Sequence, residues 1–545
     1  MDEENLIQVF ENGTEEDLCR SLKEFNTKNA STFAFPDMTE EFRKKMIGAL
    51  LKKLKEKASS SCYIQCLSTV RIFSRDKNNL DMLVTDDNLK LLMKHAWLQH
   101  FAKESNEIAT IQDGDTDVIV EAQKCLSNLI YNSQNAQRSC SMNGCVEGIV
   151  QRLKTYKDPE LKYEIKFFDM RMLFLLTALV SEIRPRIHSE LHGFSYLMEV
   201  IDLSLRDAEE RQTGLTDQEV DLCCEILKIL FNLTMSLKKK SLDEEEDGHL
   251  MRLVSVLREL LICKTESKDR KEELVSHTVN LLTNMPVDSF EQLLTPINES
   301  GADSIDNKDI EYDGKNMESI VVLLNFLHHR LERPFSNLKE NLAPILHCLC
   351  EACRNNRSIR KFCRLKVLPH MRDEVKALPE EGDTLRNRLC RLLTNPSPHV
   401  KELVPDFLFT LCKENVDRMV KYTGYGNCAG LLADRGLLLG GRGKIANYSS
   451  ESEDSETEEY SELKSMINPV TGRWEEQRPD PMENMSEEQK EYEAMKVVQM
   501  MDKLHQRGVI QPAYMGEDGR PIPVSHILEL TDKIKLPSQE NSDSD

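Results

Sequence analysis

Glycine and proline are scarce in this chain, 22 and 19 among 545 residues. So few turn-makers argue for long helices and against a turn-rich β fold. Basic residues are outnumbered, 71 Lys and Arg against 93 Asp and Glu, for a formal charge of −22. That balance excludes a protein that tracks nucleic-acid phosphates, which needs clustered cations to release counterions. Long hydrophobic runs are missing: the greasiest stretch, Met172 to Val180, is far below the roughly 20 residues that span a bilayer. The start, Met1-Asp2-Glu3-Glu4, is acidic where a signal peptide is basic and then apolar, and no Gly follows Met1. The last residues, Ser542-Asp543-Ser544-Asp545, carry no prenylation signal. Sixteen cysteines without a secretory signal imply a reducing compartment and free thiols. A soluble cytoplasmic chain without direct membrane insertion is expected, long enough for about three to four domain equivalents.

What is present is repetition. One helical phrase, apolar–Leu–any–polar–apolar, occurs at Cys66–Val70, Cys125–Leu129, Leu175–Leu179, Ile229–Leu233, Leu281–Met285, Cys348–Ala352 and Phe407–Leu411. Its fourth place falls at 69, 128, 178, 232, 284, 351 and 410. These steps exceed an armadillo or HEAT unit of about 40–47 residues. Polar inserts at Arg206–Thr216, Ser241–Gly248 and Glu299–Asn316 account for the excess and read as surface loops. After the phrases, Gly144 and Gly193 precede further amphipathic stretches, Val146–Leu153 and Tyr196–Ile201. A helix, a bend and a second helix make a unit that buries its apolar stripe on its neighbours. The fold class expected is all-α: an armadillo/HEAT-like superhelical solenoid with a disordered or extended C-terminal tail.

If the phrase helices line a concave groove, the fourth place presents Thr69, Asn128, Asn232, Asn284, Glu351 and Thr410 to it. Asparagine amides both donate and accept, which suits a bound peptide. The competing reading is that these side chains only bond neighbouring loops.

No enzyme signature survives inspection. Gly440-Gly441-Arg442-Gly443-Lys444 lacks both the first Gly of a phosphate loop and the Ser or Thr after its Lys. His347, Cys348, Cys350 and Cys353 lie inside the sixth phrase, where cysteine acts as a small hydrophobe, rather than at zinc-finger spacing. Cys223-Cys224 and the scattered histidines show no nucleophile–base spacing. No catalytic residue, metal ligand or cofactor is assigned.

Composition shifts after Gly443. The expected organisation is a repeat solenoid over 1–425, a Gly-rich loop and acidic phosphorylatable segment over 426–465, a partner-contacting segment over 466–510 and a disordered tail over 511–545. Ser450 and Ser455 each have a Glu three residues on, the pattern of an acidophilic casein-type kinase. Arg354, Arg357, Arg360, Lys361 and Arg364 recur at spacings of three and four and form a basic face to receive the phosphates. Ser486-Glu487-Glu488-Gln489 is a capping box. It opens a helix with Tyr492, Met495, Val498, Met501 and Leu504 on one side, a stripe suited to a partner or to packing back on the repeats.

Four blocks carry a more specific signal: Phe167-Phe168-Asp169 running into Leu173–Leu179, His277–Leu282, Lys421–Asn427 and Ile467–Arg473. Over essentially the whole chain these resemble synembryn, the resistance-to-inhibitors-of-cholinesterase family, and its B-type paralogue more than its A-type. The resemblance implies a helical solenoid that acts on heterotrimeric G-protein α subunits (Gα). It would serve as a folding chaperone for nascent Gα and a non-receptor exchange factor for GDP-bound Gα, without covalent catalysis. The stimulatory and olfactory Gα classes are the B-type's partners. Recruitment to the inner face of the plasma membrane or the cell cortex would follow through Gα.

The family carries a phosphorylated acidic segment where Ser450 and Ser455 stand, with threonine in the A-type at the second position. By resemblance, the C-terminal helix of Gα lies in the concave surface against Arg71, Arg75, Asn128, Phe168, Asn232 and Asn280. Arg71 and Arg75, four apart on one helical face, would clamp its terminal carboxylate. The region from Ile467 through the capped helix would embrace the nucleotide domain. Ala178 interrupts the asparagine row. The alternative is an armadillo-type peptide-binding adaptor or transport receptor with no effect on nucleotide release.

Overall fold

The leucine at the second place of every phrase is buried to the last atom: Leu67, Leu126, Leu176, Leu230, Leu282, Leu349 and Leu408 are each 0% exposed. Each belongs to a helix packed on both sides by others. The computed structural model describes residues 3–36, 38–101, 116–235, 244–297, 309–333, 338–395, 398–443, 448, 456–476, 482, 485–526 and 529. Contacts divide the chain into two units, Met1–Thr295 and Pro296–Asp545.

Unit one begins with α1 (Glu3–Asn12), α2 (Glu15–Lys28), α3 (Glu40–Lys55), α4 (Ser60–Ser74), α5 (Asp86–His95) and α6 (Leu98–Phe101). It continues with α7 (Thr116–Asn132), α8 (Gln134–Met142), α9 (Cys145–Leu153), α10 (Tyr163–Leu179) and α11 (Gly193–Arg211). Its last α-helices are α12 (Asp217–Thr234), α13 (Glu244–Ile262) and α14 (Lys268–Leu282). The starts are written in the sequence: Thr14, Thr39, Ser59, Ser133, Thr216 and Ser267 each accept a hydrogen bond from the amide three residues on. Two layers result. Helices α2, α4, α7, α10, α12 and α14 pack in succession, and α3, α5, α6, α9, α11 and α13 form the second file. This layered stacking of successive helical units is armadillo/HEAT-like.

A buried ionic knot ties the layers together. Arg152 of α9 and Asp169 of α10 are both 0% exposed and doubly bonded, with Nε to Oδ2 at 2.7 Å. Gln123 of α7 adds a bond to Asp169 Oδ1 at 2.8 Å, Tyr156 one to Oδ2 at 3.2 Å, and Arg152 reaches the Ala96 carbonyl at 2.8 Å.

Unit two contains α15 (Glu318–Glu332), α16 (Leu338–Asn355), α17 (Arg357–Val367), α18 (Leu385–Leu393) and α19 (Pro398–Leu411). Then come α20 (Val416–Thr423), α21 (Tyr425–Arg435), α22 (Glu458–Leu463) and α23 (Glu487–Gln506). The sixth and seventh phrases lie on α16 and α19, which pack together, with α15 and α17 against α16.

Several local expectations are corrected. Helix α11 runs to Arg211 and α13 starts at Glu244, so two inserts are partly helical. The acidic first turn of α13 (Glu244, Glu245, Glu246, Asp247) is favourable at a helix N-terminus. Within the third insert Glu311–Tyr312 pairs antiparallel with Lys315–Asn316. Ala513–Met515 pairs with Pro521–Pro523 inside the stretch expected to be disordered, the turn between them holding Gly516 and Gly519. Cys348, Cys350 and Cys353 are buried in the core, as their helical spacing predicts.

Candidate functional site

The partly exposed edge of the first layer in unit one carries most of the expected partner residues. Arg71 Nε of α4 meets Glu121 Oε2 of α7 at 2.8 Å, and Lys124 Nζ meets the same carboxylate's Oε1 at 2.8 Å. Lys124 also lies 5.5 Å from the centre of the Phe168 ring on α10. Two helices on, the arrangement recurs: Arg171 of α10 (3.2 Å) and Lys228 of α12 (2.6 Å) share the Glu225 carboxylate. Both stand over the Phe174 ring, at 5.7 and 5.0 Å. At each point two cations share one anion beside an aromatic ring. At the first point this leaves one cation in excess of the shared carboxylate, whereas at the second Asp221 and Glu273, both paired with Arg270, lie close by as well.

Arg75 does not join that cluster through a carboxylate. Its Nη1 donates to the Ala30 carbonyl at 2.7 Å, and its guanidinium stacks on Phe33. Burial, and then the neighbouring Arg71, draw its pKa below the ordinary arginine value.

The asparagines are spent on the row itself. Asn128 Nδ2 donates to the Arg71 carbonyl (3.3 Å) and Ser74 Oγ (3.0 Å), and Asn284 Nδ2 to the Phe231 carbonyl (3.1 Å) and Thr234 Oγ1 (3.2 Å). Asn232, buried, donates to Thr177 Oγ1 at 3.1 Å. Each amide grips the last turns of the preceding helix in the row rather than a neighbouring loop. Thr69 and Thr410 are fully buried, so the fourth place does not face one groove throughout. Their hydroxyls bond the carbonyl four residues back, Gln65 and Asp406. Asn280 is half-buried on α14. One turn before it His277 stands near Glu273 and Cys224, with the three ligand-type atoms within 4.8 Å of one another. Burial, and then Lys228, lower the His277 pKa; burial, and then Glu273, push the Cys224 thiol up to about 12.

Sequence reasoning missed Glu121, Lys124, Arg171, Glu225 and Lys228. A signal existed: Glu-x-x-Lys immediately precedes both the second and the fourth phrase.

In unit two the expected basic face is divided. Asn356 ends α16 and caps α17, so spacings of three and four do not continue on one helix. Arg354 pairs with Glu351 (3.2 Å) and Asp406 (3.6 Å). Arg360 is buried, donating to the Cys353 carbonyl at 2.8 Å. Arg364 donates to the Tyr422 hydroxyl at 3.3 Å, Arg357 is exposed and Lys361 half-buried. Ser450 and Ser455 lie outside the described residues. Their flanks do not: the Tyr448 ring covers Arg360 at 4.7 Å, and Glu456 meets Lys464 at 2.9 Å and Lys421 at 4.0 Å. Burial, and then Glu414, push the Tyr448 phenol up to about 12.

The capping box at Ser486 and Gln489 is formed, and no residue of α23 is buried. Tyr492 is 70% and Met495 50% exposed. Among the described residues no helix is long and apolar enough to cross a membrane.

A family model described as guanine nucleotide exchange factor synembryn matches residues 66–520. The protein named Chaperone Ric-8A from Xenopus laevis is 45% identical, with 100% of this chain and 99% of that protein covered. Its counterpart from Gallus gallus is 43% identical, with 100% and 99% covered, and that from Mus musculus 40%, with 100% of both covered. Among solved structures, an engineered protein superimposes with a TM-score of 0.44 at 14% identity, covering 79% of this chain and 94% of that one. A chain from work on the interaction between cadherin and beta-catenin gives 0.45 at 12%, covering 81% and 70%.

Proposed function

Because the chain belongs to the guanine nucleotide exchange factor synembryn family, we propose that it chaperones nascent Gα subunits and releases GDP from folded ones, with the stimulatory and olfactory classes as its partners. The observation that carries exchange and chaperoning is identity of 40–45% to Ric-8A chaperones along the full chain; the choice of Gα class rests on the B-type resemblance of the sequence blocks alone. Membership of that family favours exchange and chaperoning over the adaptor alternative.

The occupant of the first layer in unit one is the Gα C-terminal helix. Its terminal carboxylate adds to the Arg71–Glu121–Lys124 cluster, where the surplus charge supports it, with Arg75 one turn further along α4. Phe168 and Phe174 offer ring faces to its apolar side chains. Asn280 contacts it directly, whereas Asn128, Asn232 and Asn284 act by holding the helices that carry the other contacts. The exposed stripe of α23 covers the nucleotide domain. Exchange is then differential binding rather than covalent chemistry. Capture of the Gα terminal helix favours the nucleotide-free form, and by linkage GTP weakens the complex by the factor that the complex weakens GTP binding. Chaperoning is the same preference expressed as mass action on a fragile state.

Phosphates at Ser450 and Ser455, added by an acidophilic casein-type kinase, reinforce anchors already formed on both sides of the segment. Within the Arg354–Arg364 group, exposed Arg357 and half-buried Lys361 serve the first, and Lys421 with Lys464 the second.

The test is GDP release from purified Gα with and without this chain. Acceleration is expected, reduced by the Arg71→Glu/Arg75→Glu variant. Unchanged release in the presence of folded protein would overturn exchange, and an unchanged yield of folded Gα in a cell-free translation would overturn chaperoning.

A further inference from the structure

We propose that Cys224, Glu273 and His277 form a site for a borderline-soft divalent cation of the Zn2+ class, bridging α12 and α14 of unit one. Glu273 and His277 stand four apart and so project from one face of α14. Cys224 comes from α12, which packs directly against it. The thiol sulfur, a carboxylate oxygen and an imidazole nitrogen already lie within 4.8 Å of one another. Zinc bonds of about 2.0–2.3 Å in a tetrahedron place ligand atoms roughly 3.3–3.8 Å apart. The remaining closure, about 1 Å, is within reach of side-chain rotation alone.

The donor set chooses the metal. Thiolate and imidazole favour Zn2+ over Ca2+ or Mg2+, which prefer all-oxygen shells. Three protein ligands leave a fourth position, as in zinc sites that keep a water. Glu273 is exposed and His277 half-buried, so ion and water have a path from solvent.

Charge also balances. On binding, the Cys224 proton leaves to solvent, and thiolate plus carboxylate neutralise the ion. Glu273 gives up its 2.8 Å pair with Arg270, which retains Asp221 at 3.0 Å. Lys228, the nearby cation that would oppose the ion, is held 2.6 Å from Glu225. The loaded site staples two successive helices of the row one turn from Asn280. Sequence spacing gave no hint of it because the cysteine is 49 positions from the nearer α14 ligand. The inference stands independently of the proposed function.

The experiment titrates the full chain, stripped with a chelator, with Co2+ as a spectroscopic stand-in for Zn2+. One equivalent should generate four-coordinate visible bands and a thiolate-to-metal charge-transfer band, both abolished by excess Zn2+. Cys224→Ser and His277→Ala should lose the charge-transfer band or its one-equivalent end point, and Glu273→Gln should weaken binding roughly tenfold or more. Circular dichroism checks that each variant is folded. Should Cys224→Ser unfold, the two α14 variants decide alone. Bands that persist unchanged in the folded variants, or no thiolate band in the parent chain, overturn the site.

Discussion

Asp169 shows how much a single carboxylate can hold. It accepts from Arg152, Gln123 and Tyr156 where no water reaches. Removing one partner of a buried pair strands the other charge, at about 3–5 kcal/mol. Asp169→Asn should therefore lower stability by that order in a urea titration, and Asp169→Leu combined with Arg152→Met should recover much of it. His95 gives a pH signature. Burial lowers its pKa below the ordinary 6.5, although a 2.9 Å bond between Nε2 and the Leu54 carbonyl opposes the shift. Above pH 6.5 both folded and unfolded chains hold it neutral. As pH falls through 6.5 the unfolded chain takes the proton first, so stability declines from there downward. The thermal midpoint of His95→Gln should fall less steeply between pH 6.5 and 5 than that of the parent.

At the scale of helices, the sequence was most informative where burial is symmetric. Each phrase leucine is enclosed whichever neighbour is considered, so a linear pattern locates it. The fourth place is another matter. Thr69 turns into the core, Asn128 grips the preceding helix and Ala178 is exposed, because small rotations of each helix decide which neighbour that position meets. Periodicity defines a face but not what stands opposite it. For the same reason the shared carboxylates Glu121 and Glu225 escaped notice, since each needs a cation from the preceding phrase helix. Helix α23 was legible at its start, where the capping box formed, and in part of its stripe: Tyr492, Met495 and Met501 are exposed, whereas Val498 and Leu504 are half-buried. Replacing Met495 and Met501 by Glu should leave the melting temperature within the small range of surface changes while abolishing the Gα complex in size-exclusion chromatography.

Across the row of unit one, the two points at which paired cations share a carboxylate stand apart, and their separation has a consequence of its own. Glu121 sits on α7 and Glu225 on α12, with α10 between them. Packed helices lie about 8–10 Å apart, so the two points are roughly 16–20 Å distant. An α-helix rises about 1.5 Å per residue, so a guest must be about 11–13 residues long to touch both. The row is thus a caliper. A synthetic Gα C-terminal helix shortened one residue at a time should lose affinity in a step near that length, rather than gradually, in fluorescence anisotropy.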